Sequence, residues 1–194
     1  MQKLIVTKGP KGTALDQARK IIGDESNEFS VGPVLARGQG NLPSWAGKNP
    51  QKLWALADET ERSNGSAFRQ YDLELPENLS VAESIALVKE FVRQEVGPKP
   101  FNWSIREVHN EDGNDCIVAQ VMTSDRVQDG IKRRPDQFFR RYRTGNPSIG
   151  GCRKDGLGKL RGEVADPHVT RRRNWSNMVE RAQSGVATQD TQSS

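Results

Sequence analysis

Phe101–Arg126 reads FNWSIREVHNEDGNDCIVAQVMTSDR, and the rest of the chain is organised around it. Phe101, Trp103 and Ile105 alternate with Asn102, Ser104 and Arg106, the period-two pattern of a half-buried strand. Asn110–Asp115 is a cluster of turn residues, and Cys116–Thr123 reads as the returning strand. On that second strand Cys116, Val118, Gln120 and Met122 share one face. The residues at 118 and 120 bear directly on whether the protein is an enzyme.

Outward from this hairpin, Leu4–Val6 reads as a first short strand. Thr13–Ile22 reads as a helix with Thr13 at its N-cap and Leu15, Ala18, Ile21 and Ile22 on one side. Residues 23–48, rich in Gly, Ser, Asn and Pro, read as a long irregular connection. Asn49-Pro50 starts a helix that runs to about Ser63, with Leu53, Trp54, Ala57 and the stem of Glu61 inward. Ala67–Leu75 follows as a strand with Tyr71, Leu73 and Leu75 on one face. Ser80 and Glu83 form a capping box ahead of an apolar stripe of Val81, Ile85, Val88, Phe91 and Val92, which is core packing.

Beyond the hairpin, Pro135–Tyr142 reads as a short helix with Phe138, Phe139 and Tyr142 inward and Arg140, Arg141 and Arg143 outward. Residues 144–168 read as irregular. Val169–Gln183 reads as a last helix with Trp175, Met178, Val179 and Ala182 on one side, and residues 184–194 as a disordered tail by composition. This pattern of mixed strands and helices places the chain in the α/β class, of α+β type. An antiparallel sheet with helices on one face is the expected outcome, in a single domain over residues 1–183.

With 194 residues, 28% of them charged, and a mean hydropathy of −0.77, the chain has enough length for a real core. No apolar run is long enough to span a bilayer, so no membrane partner is expected. The start of the chain shows no signal-peptide pattern, and Cys116 and Cys152 have no metal-site spacing, which implies reduced thiols in the cytoplasm. No C-x-x-C, H-E-x-x-H, Walker or G-x-S-x-G motif occurs.

The net charge of +4 is unevenly spread. Residues 126–173 hold 14 Lys and Arg against 5 Asp and Glu, about +9, whereas residues 1–125 hold 14 against 18, about −4. A basic segment on an acidic body points to a polyanionic partner, nucleic acid first. The candidate DNA-binding residues are Arg126, Lys132, Arg133, Arg134, Arg140, Arg141 and Arg143, interleaved with Phe138, Phe139 and Tyr142. A second cluster, Arg171, Arg172 and Arg173, opens the last helix, where positive charge opposes the helix dipole and an anion would relieve it. The competing reading is a solvated basic face with the aromatic rings in the core, and it is preferred for Phe138 and Phe139.

Several segments resemble the MobA/MobL family of plasmid mobilisation relaxases. They are Leu53-Trp54 through Asn64-Gly65, Phe68 through Leu79, Ala86 through Phe91, Val121 through Ile131 and Gln137 through Tyr142. The last helix from Arg172 to Trp175 also fits, and the match is most specific over residues 41–143. The resemblance implies the fold of HUH endonucleases, a central antiparallel sheet flanked by helices. It also implies a reaction in which a tyrosine in the first helix attacks a phosphodiester at a plasmid transfer origin. In that reaction a divalent metal held by three histidines polarises the phosphate.

The family pattern places its histidines at His109, Val118 and Gln120 and its nucleophile near Lys20, so neither the catalytic nor the metal set is intact. Valine has no donor atom, and glutamine offers only an amide oxygen. The whole chain has 2 histidines, His109 and His168, and 2 tyrosines, Tyr71 and Tyr142. For His109 alone, a hydrogen-bonded structural role is preferred.

The expected function is therefore a DNA-binding protein of plasmid mobilisation and conjugation, impaired in nicking and needing no cofactor. It would act on transfer-origin DNA, single-stranded or duplex, as an accessory or regulator alongside other mobilisation proteins. One alternative is an active nickase using Mg or Mn at a rebuilt site drawn from Asp72, Glu74, Asp112, Asp115 and His109, with Tyr71, Tyr142 or water attacking. Another is an interaction module that binds an active relaxase.

Overall fold

The computed structural model describes residues 2–23, 32–109, 114–155 and 167–190. Strands and helices follow in the order β1 (Leu4–Pro10), α1 (Ala14–Ile22), β2 (Val34–Gly40), α2 (Pro50–Thr60), β3 (Ser66–Leu75) and α3 (Val81–Phe91). They continue with β4 (Phe101–His109), β5 (Asp115–Thr123), the short β6 (Arg126–Val127), α4 (Pro135–Phe138), the short β7 (Arg153–Lys154) and α5 (Pro167–Asp190). One turn of 3-10 helix at Ser44–Ala46 precedes α2, and a π-helical turn at Val92–Val96 extends α3.

The central sheet has five strands in the order β1-β3-β5-β4-β2, every neighbouring pair antiparallel. The hairpin that opened the sequence reading is its middle: β4 and β5 pair without a slip from Phe101↔Thr123 to His109↔Asp115. β3 closes on the other side of β5.

Helices cover both faces, where the sequence pattern alone pointed to one. On the first face Trp103, Ile105, Ala119 and Val121 meet α3 and α5 through Leu87, Val88, Phe91, Trp175 and Met178. On the second face Met122 and Phe68 meet α1, α2 and α4 through Ala18, Ile21, Leu53, Trp54 and Phe138. This explains why β4 is buried on both sides from Asn102 to Arg106 although its sequence alternates. Burial of its polar residues is offset by partners from the helices. Trp54 Nε1 donates to Asn102 Oδ1 at 2.7 Å, although Asn102 Nδ2 has no partner among the described residues, and Arg106 donates to the Ile21 carbonyl at 2.9 Å.

The caps follow from local chemistry. Asn49 accepts from the Gln51 N–H with Pro50 at the first helical position, and Ser80 and Glu83 form the reciprocal box. Thr13 makes no side-chain cap to α1. The Asp58 carboxylate of α2 instead accepts from the N–H groups of Gly12, Ala14 and Leu15 at 2.7–2.9 Å, capping α1 from its neighbour.

Two further expectations change. Residues 34–40, read as irregular, form the edge strand β2, and α5 continues past Gln183 to Asp190 instead of giving way to a tail at 184. Residues 191–194 lie outside the described ones. Among the described residues no helix is long and apolar enough to cross a membrane.

Candidate functional site

Alternation along β3, β4 and β5 turns Asp72, Arg106, Val108, Val118 and Gln120 to the second face, beyond the end of the α1–α2 core. There they line a pocket of about 370 Å3 with Ile5, Gln17 and Lys20. The structure thus brings Lys20, Val118 and Gln120 together, from a helix and a strand separated by about half the chain. His109 does not join them. It pairs with Asp115 at the exposed strand end, one residue out of phase with Arg106 and Val108, and so belongs to the opposite face. The β4 residue that lines the pocket beside Val118 and Gln120 is Val108.

The floor of the pocket is a closed hydrogen-bond relay. Gln17 Nε2 donates to Gln70 Oε1 at 2.7 Å, Gln70 Nε2 to Asp72 Oδ1 at 2.7 Å, and Gln120 Nε2 to the same Asp72 oxygen at 3.1 Å. Arg106, buried at 3% exposure, donates to the carbonyls of Lys20 and Ile21 at the C-terminus of α1. Among the described residues it pairs with no carboxylate, and burial pushes its pKa down. Arg106 positions the turn that carries Lys20. Sequence reading placed it on the polar side of β4 but had no means of seeing what lies above it.

This set of donors does not fit the divalent cation that the family resemblance implies. The pocket offers one carboxylate, already accepting two amide N–H bonds, and the amide oxygens of Gln17 and Gln120. The ammonium of Lys20 and the guanidinium of Arg106 add charge of the wrong sign for a metal. Among the described residues no group of three His, Cys, Asp or Glu is placed to hold an ion.

Of the residues named for a rebuilt site, Glu74 accepts from the Lys3 N–H at 3.2 Å, Asp115 pairs with His109, and Asp112 lies outside the described residues. Tyr71 is fully buried, its ring 5.4 Å from that of Phe91, and burial pushes its phenol above the ordinary range. A phosphodiester cannot reach it. Tyr142 is half-buried.

The basic clusters divide by burial. Arg126, Arg133 and Arg171, expected to bind DNA, are interior residues, each paired with a carboxylate. Arg126 is bidentate to Glu61 at 2.8 Å and 3.0 Å and also donates to the carbonyls of Phe139, Arg140 and Cys152. Arg133 holds Asp129 at 2.6 Å and the Gly150 carbonyl, and Arg171 holds Glu95 at 2.8 Å. Each is held inside the fold, Arg171 with its guanidinium also over the Tyr71 ring at 5.1 Å and its Nη1 without a hydrogen-bond partner among the described residues, so none is presented to a phosphate. Arg134 and Arg140 are exposed and share Asp136. Lys132, Arg141, Arg143, Arg172 and Arg173 are exposed with no ion pair among the described residues. Phe138 and Phe139 are core residues, in edge contact at 5.0 Å.

Comparison with known proteins bears on this geometry. The chain is 33% identical over 181 residues to the 43 kDa relaxation protein of Salmonella typhimurium, covering 90% of this chain and 48% of that one. The chain carries a relaxase domain of the MobA/MobL type. It is also 32% identical over 121 residues to Mobilization protein A of Escherichia coli, covering 62% of this chain and 17% of the relative. The relaxase-type domain therefore spans about half the length of the Salmonella relative and a smaller part of the second. A solved structure described as the molecular basis of vancomycin resistance transfer in Staphylococcus aureus shares the fold. Its TM-score is 0.66 at 17% identity, over 95% of this chain and 93% of that one. No family model matches the chain.

Proposed function

We propose that this relaxase-type domain binds DNA at a plasmid transfer origin without cutting it, as an accessory or competitor of a nicking relaxase in the cytoplasm. The observation that carries the reading is the pocket itself. Lys20, Val118 and Gln120 meet where the family resemblance puts a nucleophile and two metal histidines, and they supply neither function. A cation held against a transferring phosphoryl offsets developing charge, and a tyrosinate or comparable nucleophile makes the new ester bond. Valine and an amide that is bonded to Asp72 do neither.

The capacity to hold phosphates is supported by the exposed cations Lys132, Arg141, Arg143, Arg172 and Arg173. They belong to segments packed on opposite faces of the sheet, so a bound strand or duplex would contact the domain in two places. The names of the relatives, a relaxation protein and a mobilisation protein, support plasmid DNA as the polyanion.

Competition binding tests the proposal. A labelled transfer-origin oligonucleotide, single-stranded and duplex in separate titrations, should be retained at moderate salt against excess heparin. Binding should weaken steeply with salt as counterions are released. Complete loss of both forms to heparin would remove DNA recognition from the reading and leave a protein-binding role.

A further inference from the structure

On the first face of the sheet, between α3 with its π-helical turn and the edge strand β2, lies a groove of about 490 Å3 that belongs to neither basic cluster. Its floor is apolar: Ile85, Val92, Phe101 and the edge of Trp103. Its charged lining residues are Arg37, Lys89 and Arg93, all exposed, and no carboxylate lines it.

Three independent features build this groove. The first is charge segregation on one helix. Beyond the capping Glu83, the acids of α3 and its extension turn toward α5, where Glu90 meets Arg181 at 3.0 Å and Glu95 meets Arg171 at 2.8 Å. Lys89 and Arg93, four residues apart, are left on the side toward β2, and among the described residues neither forms an ion pair or hydrogen bond. The second is the π turn. The Gly97 N–H donates to the Val92 carbonyl at 3.1 Å, which widens the helix where Val92 and Arg93 meet the groove, and such turns recur at functional sites. The third is a pair of strand glycines. A Cβ at Gly38 would sit 2.6 Å from the Trp103 indole and one at Gly40 would sit 2.5 Å from the Phe101 ring, so both rings lie flat against β2 only because these residues are glycine. Arg37, opposite Ser104, instead turns to a second hollow on the other side of β2, lined by Ile22, Lys48 and Gln51, where its Nη1 donates to the Ile22 carbonyl at 3.3 Å.

We propose that this groove is a second DNA contact, which holds an unpaired strand with its phosphates on Lys89 and Arg93 and a base against the Phe101 ring. The inference rests on the DNA-binding reading above. An apolar floor beside uncompensated cations suits a chain that alternates flat apolar bases with anionic phosphates. An acidic peptide added as a strand to the β2 edge would use the same cations, and the test separates the two.

The variant Lys89→Gln/Arg93→Gln alters two exposed side chains and leaves the core intact. Anisotropy of a labelled single-stranded origin oligonucleotide is measured over a salt series for the wild type and this variant. Lys8→Gln/Lys11→Gln, on the opposite sheet edge, serves as a charge-matched control. The expected result is a log–log salt slope shallower by about 1.4 in the groove variant, two contacts at roughly 0.7 each, with little change in the control. An unchanged slope with intact binding would overturn the groove proposal and leave the proposed function standing, as would equal losses in both variants. Binding of an acidic peptide that depends on Lys89 and Arg93, with unchanged DNA binding, would assign the groove to protein. No DNA binding by the wild type would overturn the proposed function and this inference with it.

Discussion

Arg126 shows how a charged residue in a basic run can be structural. Its donors are used by Glu61, itself 2% exposed, and by three carbonyls of the segment it anchors. Arg126→Ala would leave the Glu61 carboxylate buried with only Lys154 at 3.3 Å and the Arg62 N–H at 3.1 Å. The expected loss is about 3–5 kcal/mol, read as a lower urea midpoint. In the sequence this arginine looks like Arg141. The inward-facing stem of Glu61 was legible, but its pairing across 65 residues was not. Asp129 carries a pH signature: its hydrogen bonds from Arg133 hold its carboxyl below the ordinary range. The stabilisation is therefore complete above that range and is lost as pH falls through the lowered pKa. Thermal melts should show a shallower acid limb below about pH 4 in Asp129→Asn than in the wild type. At the pocket, placing Val108 and not His109 beside Val118 and Gln120 has a direct consequence. Val108→His/Val118→His/Gln120→His should gain divalent-cation affinity by calorimetry. Val118→His/Gln120→His, relying on His109, should gain much less.

At the scale of elements, features set by sequence neighbours were the most legible, although α4, read to Tyr142, stops at Phe138. The β4–β5 hairpin, the capping box of α3 and the Asn49-Pro50 start of α2 each depend on neighbours in sequence. The edge strand β2 was missed because Val34–Gly40, VLARGQG, has two glycines that break any strand pattern, and their reason lies in the Trp103 and Phe101 rings of another strand. The cap of α1 was misplaced for the same kind of reason. Thr13 is the right residue type at the right position, but Asp58 of α2 supplies the acceptor. Asp58→Ala would strip three N–H groups of their acceptor at once. A loss of about 2 kcal/mol is expected, at the upper end for a cap, with faster amide exchange concentrated in α1. Thr13→Ala should cost much less, since its hydroxyl donates to the Pro10 carbonyl and caps nothing.

Over the whole molecule, a relaxase-type scaffold carries a pocket lined by Lys20, Val118 and Gln120. Helices on both faces bury the central hairpin, so the pocket is held by β3, β4, β5 and α1 whatever side chains line it. The class of fold was legible, and the counts of two histidines and two tyrosines, on which the proposed loss of nicking rests, need no structure. The division of the arginines into interior and exposed was not, because it is set by long-range partners. Arg141→Gln/Arg143→Gln, in the exposed group, should weaken DNA binding severalfold without lowering the urea midpoint. The most direct measurement is a cleavage assay with a 5′- or 3′-labelled single-stranded origin oligonucleotide and supercoiled plasmid, in magnesium or manganese. Products are resolved on native and denaturing gels. The expected result is a shifted complex that EDTA does not release, with no nicked plasmid, no shortened oligonucleotide and no covalent adduct. Metal-dependent cleavage or a protein–DNA adduct that persists through repurification and is lost in Gln120→Ala would contradict it.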